Sequence, residues 1–223
     1  MTRGYDTETD RLHFLDWNPG LDNDHLTLGE VLDTLPASPP ESIPFIIQLL
    51  ENPKYWWLPI PGRITLMRHD AIHVLLGRGL SRQDEAFVIG FTMGASWKDH
   101  SSRLRTIQYR FFRWCVSRLY RPPHRFNEND LRVFDMAFAK GEESGAENLE
   151  SFPFERFLDL TIRELRVRLG INAQKLYAVY RKEKIMVPNS RYSRRLDTDW
   201  QGFDPQSIYR PPGEIAYKDG DIE

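Results

Sequence analysis

Two histidines and two carboxylates at close spacing are the residues of this chain best suited to chemistry. His69, Asp70 and His73 lie within one short stretch, and Glu85 follows after Gly77. Imidazoles and carboxylates form the donor sets of mononuclear metal sites, and two histidines four residues apart on a helix can reach one ion. The spacing predicts a metal site with two nitrogen and two carboxylate ligands.

The period of an α-helix decides whether these side chains can meet. With 3.6 residues per turn, His69, Asp70 and His73 point at about 0°, 100° and 40° around the axis, so they share one arc. A helix over residues 63–76 would end at Gly77 in a left-handed turn, and Ser81 with Asp84 would cap the next helix. Glu85 then lies as far from this turn as His73, facing it across a hairpin.

The residues around the histidines favour a metal over simpler explanations. Residues 64–76 are apolar nearly all round the helix, and buried carboxylates need a partner. The alternative is that His69 and His73 are hydrogen-bonded core or surface histidines and that Glu85 is a helix-start acid stabilised by the dipole. The donor set suits Zn²⁺ first, and iron, cobalt or manganese also accept it.

The pattern H-D-x-x-H, three residues, Gly, seven residues, Glu resembles the signature of the ubiquinone (coenzyme Q) biosynthesis protein 4 family. The matching residues are His69, Asp70, His73, Gly77 and Glu85. Residues 165–171 loosely resemble a late helix of that family, and the resemblance spans about residues 26–171.

The resemblance implies a helical protein with zinc on these four ligands and a hydrophobic channel for a prenylated quinone precursor. It also implies peripheral contact with a membrane, dimers, and association with other quinone-biosynthesis proteins. In the enzymatic form a metal-dependent lyase removes the C1 carboxylate of a prenylated hydroxybenzoate; the residue that supplies the proton is not identified. Two alternatives stay open: a non-catalytic prenyl-lipid carrier or scaffold, and a His-Asp superfamily phosphohydrolase using His25 and Asp135.

The elements that must position these residues are helices, because no useful strand alternation occurs. The patterns predict helices over residues 26–35 (capped by Thr27), 45–50, 63–76, 81–97, 102–120, 128–140, 158–169 and 173–184. A turn is expected at residues 59–62, and Pro122 and Pro123 end the fifth helix. The expected fold is an all-α, single-domain bundle of seven or eight helices, with an irregular arm over residues 1–24, a metal- and lipid-binding domain over 25–187 and an extended tail over 188–223.

Two helices carry further features. Gly90, Gly94 and Ala95 form a small-residue face that would leave room for an isoprenoid tail, allow close helix packing, or do both. The fifth helix is basic, and its arginines would contact an anionic membrane or lipid phosphate, pair with nearby acids, or bind nucleic acid, which is the least favoured. Its membrane-contact candidates are Arg103, Arg110, Arg113 and Arg121, opposite an apolar face that includes Leu104, Phe111 and Phe112.

Composition narrows the remaining classes. The 223 residues carry 30 basic and 32 acidic side chains, which gives no global preference for nucleic acid. The single Cys115 excludes an intrachain disulfide and is expected to be a small buried hydrophobe. The N-terminus lacks the pattern of a secretory signal, and no run reaches the length of a membrane span. We therefore expect a cytoplasmic protein; peripheral contact with the inner face of a membrane, which the resemblance implies, stays open.

Overall fold

Eight α-helices account for most of the residues that the structure describes. The computed structural model describes residues 15–36, 66–97, 100–118 and 125–196, and within these ranges it contains no strand. A 3-10 helix lies at Phe154–Arg156. The helices are α1 Leu28–Leu32, α2 Leu66–Leu76, α3 Arg82–Ser96, α4 Ser102–Arg118, α5 Glu128–Glu143, α6 Ile162–Arg168, α7 Ala173–Met186 and α8 Arg191–Arg194. The prediction of an all-α, single-domain bundle is confirmed.

Capping boxes fix where four of these helices begin. In each, the N-cap side chain accepts from the backbone N–H three residues on, and the acid at that position accepts from the N-cap N–H. The pairs are Thr27 with Glu30, Ser81 with Asp84, Asn127 with Asp130, and Thr161 with Glu164. The caps predicted at Thr27 and Ser81 are confirmed. The helix predicted over residues 158–169 begins later, at Ile162, because Thr161 caps it.

Gly77 ends α2 in the left-handed conformation that the sequence predicts, with φ 62°. The N–H of Arg78 donates to the carbonyl of His73 at 2.9 Å, and the N–H of Gly77 donates to that of Val74 at 3.0 Å. These two bonds form a Schellman turn. A Cβ atom at Gly77 would lie 2.5 Å from the carbonyl oxygen of Gly20. This turn sets the approach of α3 to α2.

Helices α3 and α5 pack backbone to backbone through glycine. A Cβ atom on Gly90 would lie 2.6 Å from the carbonyl oxygen of Phe134, and one on Gly94 would overlap that of Phe138. From the other side, a Cβ on Gly141 would overlap the carbonyl of Phe91. The small-residue face of α3 therefore serves close helix packing, which was one of its two predicted uses.

The chain after Pro188 differs from the predicted extended tail. Helix α8 forms within it, and Leu196 is buried in the main core. Arg195 donates through Nη1 to the carbonyl of Leu15 at 2.7 Å, and Ser190 Oγ donates to Gln83 Oε1 at 2.5 Å. The polar sequence predicted an extended tail, but Ser190 and Arg195 have hydrogen-bond partners inside the fold. Residues 197–223 lie outside the described residues.

The described part of the N-terminal arm packs against the helices. Residues 17–24 are irregular, as expected, yet Trp17, Leu21 and Asn23 are buried against the helices.

Several predicted features lie outside the described residues: the arm before Leu15, the helix at 45–50, the turn at 59–62, and the predicted end of the fifth helix at Pro122 and Pro123. Among the described helices, none is both long enough and apolar enough to cross a membrane.

Candidate metal centre

Three of the four predicted ligands converge in the interior. α2 contributes His69 and His73, and α3 contributes Glu85 one turn after its N-cap. His69 Nε2 lies 3.0 Å from Glu85 Oε2, and His73 Nε2 lies 3.3 Å from Glu85 Oε1. The two Nε2 atoms are 3.0 Å apart. All three residues are buried, and we call them the donor group.

The spacing of these atoms fits a single metal ion. Nitrogen and oxygen ligands about 2.0–2.1 Å from zinc at tetrahedral angles lie roughly 3.3 Å from each other. The donor group has the same scale, since its three ligand atoms all lie within 4.8 Å of one another. Two imidazoles and one carboxylate are also a chemically ordinary set for zinc, iron, cobalt or manganese. The residues present therefore fit a divalent metal.

The backbone of Gly79 fixes the tautomer of His73. His73 Nδ1 lies 2.7 Å from the carbonyl oxygen of Gly79. A carbonyl can only accept, so Nδ1 carries the proton and neutral His73 presents a lone pair at Nε2. Metal-binding histidines are oriented by this kind of outer hydrogen bond. A side chain would not fit at position 79, because a Cβ there would lie 2.5 Å from Arg195 Nη2 and overlap the carbonyl of Trp17.

Without a metal, a proton on an imidazole must balance the negative charge of Glu85 in the donor group. Burial lowers the pKa of His73, but the charges of Glu85, Asp70 and Asp84 outweigh it and raise that pKa above its ordinary value. Burial raises the pKa of Glu85, and the opposing effect of His69 and His73 places it well below its usual range. The carboxylate is therefore ionised and faces two imidazoles, a situation that either a proton or a metal cation satisfies.

Asp70, the fourth predicted ligand, lies outside the donor group. Its neighbour His69 is one position away on the helix, and residues at adjacent positions do not face each other. Asp70 is half-buried and acts on His73 through its charge. The structure brings together His69, His73 and Glu85; coordination by Asp70 stays a prediction.

A second buried polar cluster lies beside the donor group, and sequence reasoning missed it. Arg78 is fully buried, and its Nη1 and Nη2 donate to the two carboxylate oxygens of Glu183 at 3.0 and 3.1 Å. Arg78 Nε lies 3.1 Å from Asp84 Oδ1, and Arg195 Nη2 donates to Asp84 Oδ2 at 2.7 Å. We call these four residues, Arg78, Asp84, Glu183 and Arg195, the arginine network.

The arginine network braces the turn that carries Gly79. Arg78 also lies over the rings of Phe87 and Tyr180, with its Cζ 4.4 and 5.1 Å from the ring centroids. Tyr180 Oη donates to the carbonyl of Leu76 at the end of α2. The turn between α2 and α3 is therefore fixed to α7 through Leu76 and Arg78.

One signal in the sequence could have revealed the network. Glu183 stands at helical spacing after Leu176, Val179 and Tyr180, so it interrupts the apolar stripe of α7. An acid on such a stripe requires a buried cation. Arg78, between two glycines and next to the apolar helix α2, was the matching candidate.

Comparison with known proteins gives no relationship from which to assign this site. No family model matches the chain, and neither the search of curated proteins nor that of solved structures finds a match. The chemistry of the site therefore rests on the residues and their geometry.

Proposed function

We propose that this protein binds one divalent metal ion through His69, His73 and Glu85 and acts on a prenylated aromatic compound in ubiquinone or prenylquinone biosynthesis. The observation that carries the metal proposal is the convergence of two imidazole Nε2 atoms and one carboxylate in a buried site. The quinone part rests on the resemblance of the H-D-x-x-H, Gly, Glu pattern to the ubiquinone biosynthesis protein 4 family.

The number of protein ligands supports a site that can take a substrate. Structural zinc sites usually have four protein ligands, whereas catalytic sites keep three and leave a position open. His69, His73 and Glu85 supply three donors. A phenol oxygen and a carboxylate of a hydroxybenzoate are hard oxygen donors of the kind that such a position accepts.

The bound metal would supply Lewis-acid stabilisation of negative charge on the ring substituents as carbon dioxide leaves. The chain's own residues hold the site in shape for this. Gly79 keeps the lone pair of His73 Nε2 toward the donor group. Asp84 is adjacent to Glu85, but its carboxylate accepts hydrogen bonds from Ser81 and Arg195. We therefore do not assign it the role of a base.

The ion pairs of Asp84 also support a non-catalytic carrier, because the carboxylate next to the donor group is already paired. The phosphohydrolase alternative receives less support. Asp135 accepts hydrogen bonds from Tyr109 and Arg113 at 2.7 and 3.0 Å on the far side of α5, and neither it nor His25 belongs to the donor group.

Metal content and turnover measured on the same preparations test the proposal. Wild-type protein reconstituted with Zn²⁺, Fe²⁺, Co²⁺ or Mn²⁺ is assayed by elemental mass spectrometry and by release of carbon dioxide from a prenylated hydroxybenzoate. His73→Ala should lose both metal and turnover. The matched control is His100→Ala, because His100 lies outside the site and hydrogen-bonds to Gln108.

The outcomes separate the alternatives. Metal binding with turnover supports the lyase, whereas metal binding and co-purified prenyl lipid without turnover support the carrier. If His73→Ala retains stoichiometric metal, the assignment of the ligands is wrong.

A further inference from the structure

Helix α4 presents a row of large apolar side chains to solvent. Leu104, Ile107, Phe111 and Trp114 have exposed fractions of 44, 57, 62 and 52%. Their spacing of three, four and three residues places them on one face of the helix. We call these four residues the outer row. Contiguous exposed apolar surface of this kind marks a binding surface.

The opposite face of α4 holds the helix to the protein. Tyr109 and Phe112 stack on Phe134 of α5 with ring centroids 5.9 and 5.6 Å apart, and Val116 is buried in the same cluster. The sequence placed Leu104 and Phe111 on the same apolar face as Phe112. The structure divides these residues between two faces, because one side of α4 is already filled by the packing on α5.

The arginines of α4 fall into two groups. Arg105 and Arg113 pair with acids of α5, Glu142 at 3.3 Å and Asp135 at 3.0 Å. Arg103, Arg110 and Arg118 are exposed and form no ion pair with the residues that the structure describes. The sequence contains no acid between His100 and Asn127, so the charged side chains of α4 itself are all basic.

We propose that the outer row is a docking surface for an anionic lipid bilayer. α4 would lie in the plane of the interface, with Ile107, Phe111 and Trp114 among the acyl chains and the exposed arginines at the phosphates. A tryptophan beside arginines suits the headgroup level. A second copy fits this surface less well, since two-fold pairing would bring basic surfaces together. This inference does not depend on the proposed function of the metal site.

Vesicle co-sedimentation of the full chain tests the proposal. We expect binding to phosphatidylcholine–phosphatidylglycerol vesicles and little binding to phosphatidylcholine alone. The triple variant I107S/F111S/W114S and the double variant R103E/R110E should each weaken partitioning by about tenfold or more. The wild-type tryptophan emission should shift to the blue on vesicles, and this shift should be lost in Trp114→Phe.

A matched control separates the outer row from exposed apolar residues in general. Val167 and Ile185 are 77 and 81% exposed on other helices, so V167S/I185S should bind vesicles like the wild type. Circular dichroism and sedimentation velocity are recorded for all variants. Equal vesicle binding by I107S/F111S/W114S and wild type would overturn the proposal. A second result would also overturn it: a wild-type protein that forms a dimer and does not bind anionic vesicles, with the dimer lost in I107S/F111S/W114S.

Discussion

Two neighbouring carboxylates of α3 belong to buried clusters of opposite construction. Asp84 belongs to the arginine network, where Arg78 and Arg195 are permanent cations. Glu85 belongs to the donor group, where its partners are two imidazoles. The arginine network contains the charges that it needs, whereas the donor group lacks a permanent cation.

The two clusters therefore serve different purposes. Burying an ion pair gives little net stability, but removing one partner is costly because the other charge stays buried. Arg78 holds the turn between α2 and α3 in place, and burial lowers the pKa of Arg78 while Glu183 and Asp84 raise it well above its ordinary value. The donor group keeps a place for a proton or a metal. Stability and metal binding should therefore separate by mutation.

The largest expected effect is on folding, from Arg78→Met. This change leaves Glu183 and Asp84 without their shared cation in the core, so the free energy of unfolding should fall by about 3–5 kcal/mol. Urea unfolding of metal-free protein measures it. Arg105→Met is the control, because Arg105 forms a partly exposed pair with Glu142 and should cost less than about 1 kcal/mol. Equal losses for the two variants would contradict the role of the network.

The next effect is on the metal, from Glu85→Gln. Loss of the only carboxylate in the donor group should lower metal affinity by more than the roughly 10- to 100-fold typical of losing an outer-sphere partner. Competition with a chromogenic chelator measures the affinity. The matched control is Glu155→Gln, whose carboxylate pairs with Arg68 at the surface. A Glu85→Gln protein with wild-type affinity would remove Glu85 from the site.

Gly94→Ala should destabilise the protein while leaving the metal bound. The added methyl group would overlap the carbonyl of Phe138, so α3 and α5 must move apart at a cost of about 1–3 kcal/mol. Thermal unfolding with and without metal measures both properties. Gly145→Ala is the control, because a Cβ at Gly145 meets nothing within 4 Å. Loss of metal from Gly94→Ala would show that stability and binding are not separable.

The pH dependence of the metal-free protein should reveal the pair between His73 and Glu85. The raised pKa of His73 stabilises the fold below the unfolded value of 6.5, and this contribution is lost as pH rises through the folded pKa. The lowered pKa of Glu85 stabilises it above 4.5, and this contribution is lost as pH falls through the folded pKa. The stability difference between wild type and Glu85→Gln should thus be largest between these two values.

Metal affinity should rise as the pH rises, because protons compete with the metal for the histidines at low pH. Thermal unfolding across pH, with and without Zn²⁺, measures both trends. A stability difference between the metal-free proteins that does not vary with pH would contradict the titration of this pair.

The smallest effect is expected from Asp70→Asn. The sequence places Asp70 among four ligands, whereas the structure groups only the other three. If three ligands suffice, Asp70→Asn keeps stoichiometric metal and loses less affinity than Glu85→Gln. The same chelator competition decides this, and a loss as large as that of Glu85→Gln would restore Asp70 as a ligand.

Local sequence signals predicted much of this fold and most of the site. Helical phasing and the turn at Gly77 brought His69, His73 and Glu85 together, and the caps at Thr27 and Ser81 follow from side chains three residues from their partners. These features depend on short-range geometry, which a sequence displays directly.

Long-range contacts could not be predicted in the same way. The pairing of Arg78 with Glu183 joins residues 105 positions apart, and Leu196 reaches the core from a polar segment. The two apolar faces of α4 could be assigned only once its packing on Phe134 was known. Each depends on which elements meet in space.

X-ray absorption spectroscopy of the metal-loaded protein tests the donor group most directly. With Zn²⁺ bound to the wild type, we predict a first shell of nitrogen and oxygen at about 2.0–2.1 Å, with outer-shell scattering from two imidazoles. Failure of every divalent metal to bind the wild type, or a zinc shell without imidazole scattering, would contradict a metal centre on His69, His73 and Glu85.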